Sequence, residues 1–428
     1  MLESNRLSTS HFEKFVWLGF ALVLLVAPWV FTSNLSMTMM SQMGIAIIAC
    51  LSYNVLLGQG GMLSFGHAVY SGMGSYLTIH ALNAVGAGTL PIPVSLLPLI
   101  GGIAGMGFAV LLGFVTTRKS GTTFSMITLG MAELVFAMSL MFSEFFGGEA
   151  GVSANRVAGQ AFLGITYGPQ RQVYYLIAVY TFISVGLLYA LTQTPLGRIL
   201  NAVRDNPERV EFVGYNTQMV RYRAFIIAGF FAGIAGGLGA LNFEIVTAEV
   251  VGPARSGAYL LFTFLGGATF FFGPVLGGVL MVLAFVLLSE ITKAWLLYLG
   301  LIFLFMVVYA PGGFAALIMT NLRVIKAGAF GRLNLAYAGL LVSGCVMLGG
   351  ASSLIEMIYH LQLNSSMDTQ LAFAGMVLDT GSKVTWSVVI AITAAALLWF
   401  DWQRKFFISQ WELVQTDIAQ ASQSGSAS

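Results

Sequence analysis

Twelve apolar runs, each near the length of a membrane-crossing helix, constrain this 428-residue chain more than any other feature. A helix needs about 20 mainly apolar residues to cross hydrocarbon. Runs of that kind lie near 15–32, 37–57, 66–83, 92–116, 122–146, 172–193, 223–243, 256–272, 274–292, 294–310, 333–354 and 384–402. Backbone polar groups inside a bilayer must be satisfied within the protein, and these runs are too long and continuous for barrel strands. The sequence therefore predicts an all-α polytopic membrane protein of 10–12 transmembrane helices. Charge agrees: only 8% of residues are Asp, Glu, Lys or Arg, against about a quarter in soluble domains, too few to cover a water-facing surface. Fifty glycines suit the same setting, because glycine lets membrane helices approach closely. A formal charge of +2 gives no reason to expect nucleic acid as a partner. Cys50 and Cys345 both sit inside apolar runs, so no disulfide framework is expected. The run from Phe15 to Phe31 lacks a small-residue cleavage pattern and precedes many more spans, so it reads as a retained first helix.

Basic residues orient the spans, since they concentrate on the cytoplasmic side. Alternating the twelve runs puts Arg6, Lys14, Arg118, Lys119, Arg198, Arg204, Arg209, Arg221, Arg223, Arg323, Lys326, Arg332, Arg404 and Lys405 on one face. Only Arg156, Arg171, Arg255, Lys293 and Lys383 fall on the other. Losing or gaining one span would scramble this sorting, so both termini are expected in the cytoplasm. Pairing 256–272 with 274–292 as a re-entrant hairpin leaves the sorting unchanged and stays open.

The longest charged loop inside the first ten spans, Thr194 to Arg223, encodes two short helices. Leu196, Ile199, Leu200 and Val203 form one apolar stripe at helical spacing. Asn206 is then an N-cap, Pro207 suits the first helical position, and Glu208 complements the helix N-terminal dipole. Val210 and Val213 are expected on one face, with Gly214 ending the helix. Such an element either docks into a partner's groove or serves as a solvated connector.

Within it, GRILNAVRDNPERVEFVGYN resembles the cytoplasmic "EAA" loop of ABC importer permeases, in the version found in the branched-chain amino acid permease family. Gly197, Arg198, Arg204, Asp205, Glu208 and Gly214 match that arrangement, while Arg209 and Val210 replace the small residues that usually follow the Glu. NVLLGQGGMLSFGHAVYSGMGSY, from Asn54, resembles the family's signature near the second span. TTFSMITLGMAELVFAMSLMFSEFFGGEAGV, from Thr122, resembles its span with an intramembrane Glu and a Gly-Gly exit. The likeness covers Thr38 to Phe314, with the motifs in family order. It implies a second homologous permease, two cytoplasmic ATP-binding subunits, a periplasmic binding protein and a bacterial inner-membrane location. It also implies that Arg204 to Gly214 contacts the ATPase. The chain has no G-x-x-x-x-G-K-[ST] phosphate loop; GFVTTRKS, from Gly113, has Arg118 where the glycine is required. It is therefore expected to be non-catalytic and without a cofactor of its own, ATP being used by the partner subunit.

Four polar residues are candidates for a substrate pathway. Glu133 stands in an apolar span, where an ionisable group costs about 3 kcal/mol and faces a cavity or partner. It is read either as a pathway or switching carboxylate, or as one held between helices for structural reasons. Asn54, Ser64 and His67 bracket the glycine break Gly58–Gly61, which is either a broken helix lining a path or a turn at the membrane surface. A fainter copy of the break occurs in LGGATFFFGPVLGG from Leu265. Gly229, Gly233 and Gly237 form a small-residue packing seam. His80 and His360 have no partner at metal-ligand spacing, and no metal site is expected.

The expected organisation is an N-terminal segment with the first transmembrane helix (1–36), a permease domain (37–320, with its coupling loop at 194–223), an extension with two further transmembrane helices (321–411) and a disordered tail (412–428). The expected function is ATP-driven import of branched-chain or hydrophobic amino acids through the lipid bilayer. Alternatives are the same scaffold carrying urea, amides or aromatic acids, or a proton-coupled carrier using Glu133.

Overall fold

A computed structural model describes residues 2–158, 165–326, 328, 330–364, 370–373 and 376–424. The helices are α1 (Leu2–Val30), α2 (Asn34–Asn54), α3 (His67–Gly86), α4 (Leu97–Thr116), α5 (Gly121–Met141), α6 (Ser143–Phe146), α7 (Gln170–Gln193), α8 (Pro195–Asp205), α9 (Pro207–Phe212), α10 (Thr217–Phe243), α11 (Pro253–Gly266), α12 (Gly273–Leu283), α13 (Ser289–Ile291), α14 (Trp295–Tyr309), α15 (Gly313–Lys326), α16 (Phe330–Asn364) and α17 (Lys383–Ser424). Four short strands make two antiparallel pairs: β1 (Val152–Ser153) with β2 (Ile245–Val246), and β3 (Gln370–Phe373) with β4 (Met376–Asp379). The protein is an all-α polytopic membrane protein.

Eight helical stretches among the described residues are long and apolar enough to cross a bilayer, nine when α14 and α15, bent by 50°, are taken as one. Three of the twelve expected runs fall short. The apolar part of α1 is 17 residues, Lys14–Val30. α3 is long enough, but His67, Ser71, Ser75, Thr78 and His80 dilute its apolar character. The run at 256–272 is not one continuous helix: α11 has 14 residues and stops at Gly267, which takes φ +114°. At about 1.5 Å per residue α11 covers roughly 21 Å, less than the hydrocarbon thickness. The segment preceding it, 245–252, turns back into the protein, where Val250 and Val251 lie against Gly72.

One compact unit comprises Met1–Glu290 with Leu301–Ala316. Its centre is a junction of α3, α4 and α10 built from glycine. A Cβ on Gly233 would stand 3.0 Å from the Gly102 Cα, and one on Gly74 would stand 2.6 Å from the Gly233 Cα and 2.9 Å from the Gly101 carbonyl. Side chains cannot enter such a contact, so backbones supply the dispersion contacts that hold helices together in lipid. Polar side chains in the same core are spent on backbone acceptors: Ser75 donates to the Gly236 carbonyl at 2.8 Å and Ser52 to Ala228 at 2.8 Å.

The end of α10 is capped from outside. Glu244 ends the helix at φ +57°, and Arg156 donates to the last-turn carbonyls of Leu241 and Asn242 at 3.3 Å. The Arg156 backbone N–H donates in turn to Glu244 Oε1 at 2.8 Å. Glu244 is thus part of a cap rather than a free loop charge.

A second unit comprises Ile291–Gly300 with Leu317–Ser428. Its long helices are α16 and α17, of 35 and 42 residues. Glu356 is buried in it, accepting from the Thr292 hydroxyl and, at 3.2 Å, from Tyr298. The tail expected to be disordered from residue 412 is helical to Ser424, because Trp411 and Val414 pack with Val324, Leu333 and Tyr337 while Ala and Gln sustain the helix. Residues 425–428 lie outside the described residues. α15 was not foreseen as a helix.

Candidate functional site

The loop between α7 and α10 folds by its own capping chemistry. Thr194 caps α8, its hydroxyl accepting from the Gly197 N–H at 3.2 Å. Asn206 caps α9, its side-chain oxygen accepting from the Arg209 N–H at 3.0 Å. α9 closes in a Schellman turn: the Tyr215 N–H reaches the Val210 carbonyl at 3.2 Å and the Gly214 N–H reaches Glu211 at 2.8 Å. Gly214 sits at φ +93°, which a side chain would strain. Gly197, Leu200 and Val203 face inward, as does Val210. Val213 does not share that face. It is 75% exposed at the C-cap of α9, beside Phe212, 89% exposed. Arg198, Asp205 and Glu208 are also exposed. The loop thus offers an uncovered aromatic and a valine at its tip, ringed by charge. That tip was missed in the sequence because Phe212 carries no periodic partner.

Arg204 ties the loop to the spanning helices. Its guanidinium donates to the Gly58 carbonyl and, at 2.9 Å, to Asp205, while its stem lies over Gly61. A Cβ on Gly61 would meet the Arg204 Cγ at 2.7 Å, and Leu200 packs beside Gly60. Gly58 belongs to a π-helical turn, Val55–Gln59, that follows α2 directly. Single π turns widen a helix and leave it locally adaptable. The chain then turns at Gly60 and Gly61, the latter at φ +63°, and runs without regular structure to α3, which starts at His67. Gly58, Gly60, Met62, Ser64 and Gly66 are buried and Gly61 is exposed, so the break is packed within the protein against the α8–α9 loop.

The second glycine break meets the first. α11 ends at Gly266, residues 267–272 form a turn, and α12 starts at Gly273. Any Cβ on Gly58 would overlap the Ala268 carbonyl, so the two breaks touch through backbone alone. Packing within the second break is equally close, a Cβ on Gly266 standing 2.7 Å from the Gly277 N.

Asn54, Ser64 and His67 surround the first break and are sealed from solvent. Ser52 Oγ lies 2.8 Å from His67 Nε2, and Tyr53 donates to the Ser64 carbonyl at 2.8 Å. The His67 ring stands edge-on to Tyr53, 5.2 Å between centroids, and Tyr259 flanks it at 6.4 Å. Asn54 Oδ1 and His67 Nδ1 are buried without a hydrogen-bond partner among the described residues. Thr128 and Ser125 of α5 close the other side, accepting from the Phe65 N–H at 3.1 Å and donating to Leu63 at 2.8 Å. Glu133 belongs elsewhere: it lies on the exposed face of α5 with Gly130 and Leu134, apart from the three buried residues. His80 bonds the Phe145 carbonyl at 2.8 Å, and no group of three metal-ligating side chains occurs among the described residues.

Comparison with known proteins bears on this architecture. The chain is 29% identical to the high-affinity branched-chain amino acid transport system permease protein LivM of Salmonella typhimurium over 331 residues, 72% of this chain and 76% of that protein. It is 28% identical to the LivM of Escherichia coli over 333 residues, 73% and 77% of the two chains. A fructose import permease protein, FrcC of Rhizobium meliloti, is 27% identical over 193 residues, 41% of this chain and 53% of its own. No solved structure matches. A family profile described as "Branched-chain amino acid transport system / permease component" covers residues 35–310, from α2 to the end of α14. That stretch holds both glycine breaks and the loop joined to them, and on it the chain belongs to the family of branched-chain amino acid transport permease components.

Proposed function

We propose that this chain is one of two permease subunits of an ATP-driven importer that carries branched-chain or other hydrophobic amino acids across the bacterial inner membrane. The observation that carries this reading is the Arg204 link, which joins a loop with an uncovered apolar tip to the break between two spanning helices. Phe212 and Val213 dock into a groove on a cytoplasmic ATP-binding subunit, and the charged rim of Arg198, Asp205, Glu208 and Arg209 sets the orientation. When the two ATP-binding subunits close, α8 and α9 move. Arg204 draws on Gly58, and the π turn at Val55–Gln59 yields where the helix is already widened. The spans on either side of the two breaks then reorient, and the path opens to the other side.

Glu133 marks the face of α5 that the second permease covers. A carboxylate on the outer face of a spanning helix is costly against lipid tails and tolerable in a water-filled seam between subunits. The path runs through the permease, with the ATP-binding subunits at one end. A periplasmic binding protein supplies substrate at the opposite end, and both termini of this chain lie in the cytoplasm.

Gentle purification of the tagged chain tests this. An ATP-binding protein and a second permease should co-purify, and Phe212→Asp should release the ATP-binding protein while the permease pair survives. Recovery of the chain alone, in a preparation that retains control complexes, overturns the reading. Uptake that collapses with the proton gradient and ignores ATP would instead assign the work to a carrier built on Glu133.

A further inference from the structure

A recess separate from the glycine breaks opens among α2, α10, α11 and α12. Gln42, Phe243, Arg255, Tyr259, Met281 and Phe285 line it, and it offers about 60 Å³ to the centre of a water molecule. A cavity needs about 10–15 Å³ of such space to hold one water, so this recess is roomy enough for water or for one carboxylate with the first carbons attached. Arg255 is the one cation in its wall. The Arg255 Nε donates to the Tyr259 hydroxyl at 3.3 Å, and the guanidinium lies 5.7 Å from that ring centroid. It forms no ion pair with any described carboxylate.

We infer that this recess holds the carboxylate of a hydrophobic amino acid in transit, with Arg255 as the carboxylate-binding residue. The inference rests on the import reading above and adds the site and group by which substrate is held. Three features point to it. A guanidinium inside a spanning unit needs an anion, and its planar fork suits a carboxylate. Apart from the Gln42 amide, the rest of the wall is aromatic, thioether and aliphatic, so an anion bearing an apolar group fits better than a bare inorganic anion. A lipid-phosphate site gathers several basic side chains, and this wall has one. Position agrees as well: Phe243 ends α10, whose first residue adjoins the α8–α9 loop, so that end lies about 40 Å along the helix from the loop. In an importer that is the side from which substrate arrives. No acidic side chain lines the recess to bind an ammonium group, which leaves a weak, one-ended site that releases its ligand easily.

The test uses the purified full-length complex in nanodiscs of zwitterionic lipid, without binding protein or ATP. Saturation-transfer NMR should detect leucine and isocaproate, which keeps the carboxylate, but not isoamylamine, which lacks it. Arg255→Gln should weaken the leucine signal by about ten-fold to a hundred-fold in affinity, and Arg255→Lys by less. Equal signals from leucine and isoamylamine overturn the proposal, as does undiminished leucine binding by Arg255→Gln. Loss of leucine binding on adding anionic lipid would give the recess to a lipid headgroup and also overturn it. Should Arg255→Gln fail to assemble, the ranking of the three ligands on the unaltered complex decides alone. Co-purification of the ATP-binding protein is scored separately, so failure of the import reading shows independently of this one.

Discussion

α10 and α16 are both apolar, glycine-bearing helices of spanning length, yet they are built to opposite plans. Of the most apolar window of α10, 78% is buried, against 11% for α16. Four of the five α10 glycines meet backbone, Gly239 alone facing open space: a Cβ on Gly236 would overlap the Ser71 carbonyl, and one on Gly229 would stand 2.9 Å from the Gly105 carbonyl. Those of α16 meet side chains or nothing, except Gly350, which also comes within 3.2 Å of the Thr393 Cα. Gly344 faces the Phe400 ring at 3.6 Å and Gly349 faces open space. Lipid tails are as apolar as leucine, so burying leucine drives no association between helices in a bilayer. What distinguishes a core helix here is how closely its backbone can be approached. Hydrophobicity is the same on both.

The comparison can be broken most forcefully at Gly236. Gly236→Leu must displace Ser71 and the start of α3, and should cost at least about 3 kcal/mol, seen as loss of monodisperse protein in gentle detergent. Arg204→Ala comes next. It leaves the Gly58 carbonyl without its charged donor, at about 1–3 kcal/mol, and should cut substrate uptake while the ATP-binding subunit still co-purifies. Glu356→Ala in the second unit removes the acceptor for Thr292 and Tyr298 and should cost about 1–2 kcal/mol locally, read as faster hydrogen exchange in α16 with uptake unchanged. Smallest is Gly349→Leu, within about 0.5 kcal/mol of the parent by thermal unfolding. If Gly349→Leu proved as damaging as Gly236→Leu, the contrast between the helices would collapse.

The same contrast explains what the sequence disclosed. Caps are local chemistry, so Thr194, Asn206 and Gly214 mark α8 and α9 as plainly in the letters as in the coordinates. The seam of Gly229, Gly233 and Gly237 is visible from spacing, and α3 and α4 are its partners. Depth is harder to read. α11 looked like a span because its apolar run continues through Phe270–Phe272, although the backbone has already turned at Gly267. The site was only half legible. Asn54, Ser64 and His67 belong together, but as a sealed brace, and the contact between Gly58 and Ala268 joins residues some two hundred positions apart. No local signal encodes such a contact. Arg255 passed as one basic residue among five on its face, because its place in the wall of a recess is a property of the fold.

The contact between the two glycine breaks has a consequence for timing. No side chain stands between Gly58 and Ala268 to absorb motion by changing rotamer. In the proposed stroke, a displacement delivered through Arg204 to the first break would reach the second by direct contact, and a stroke that moved α2 and α3 while α11 and α12 waited would have to separate the two backbones first.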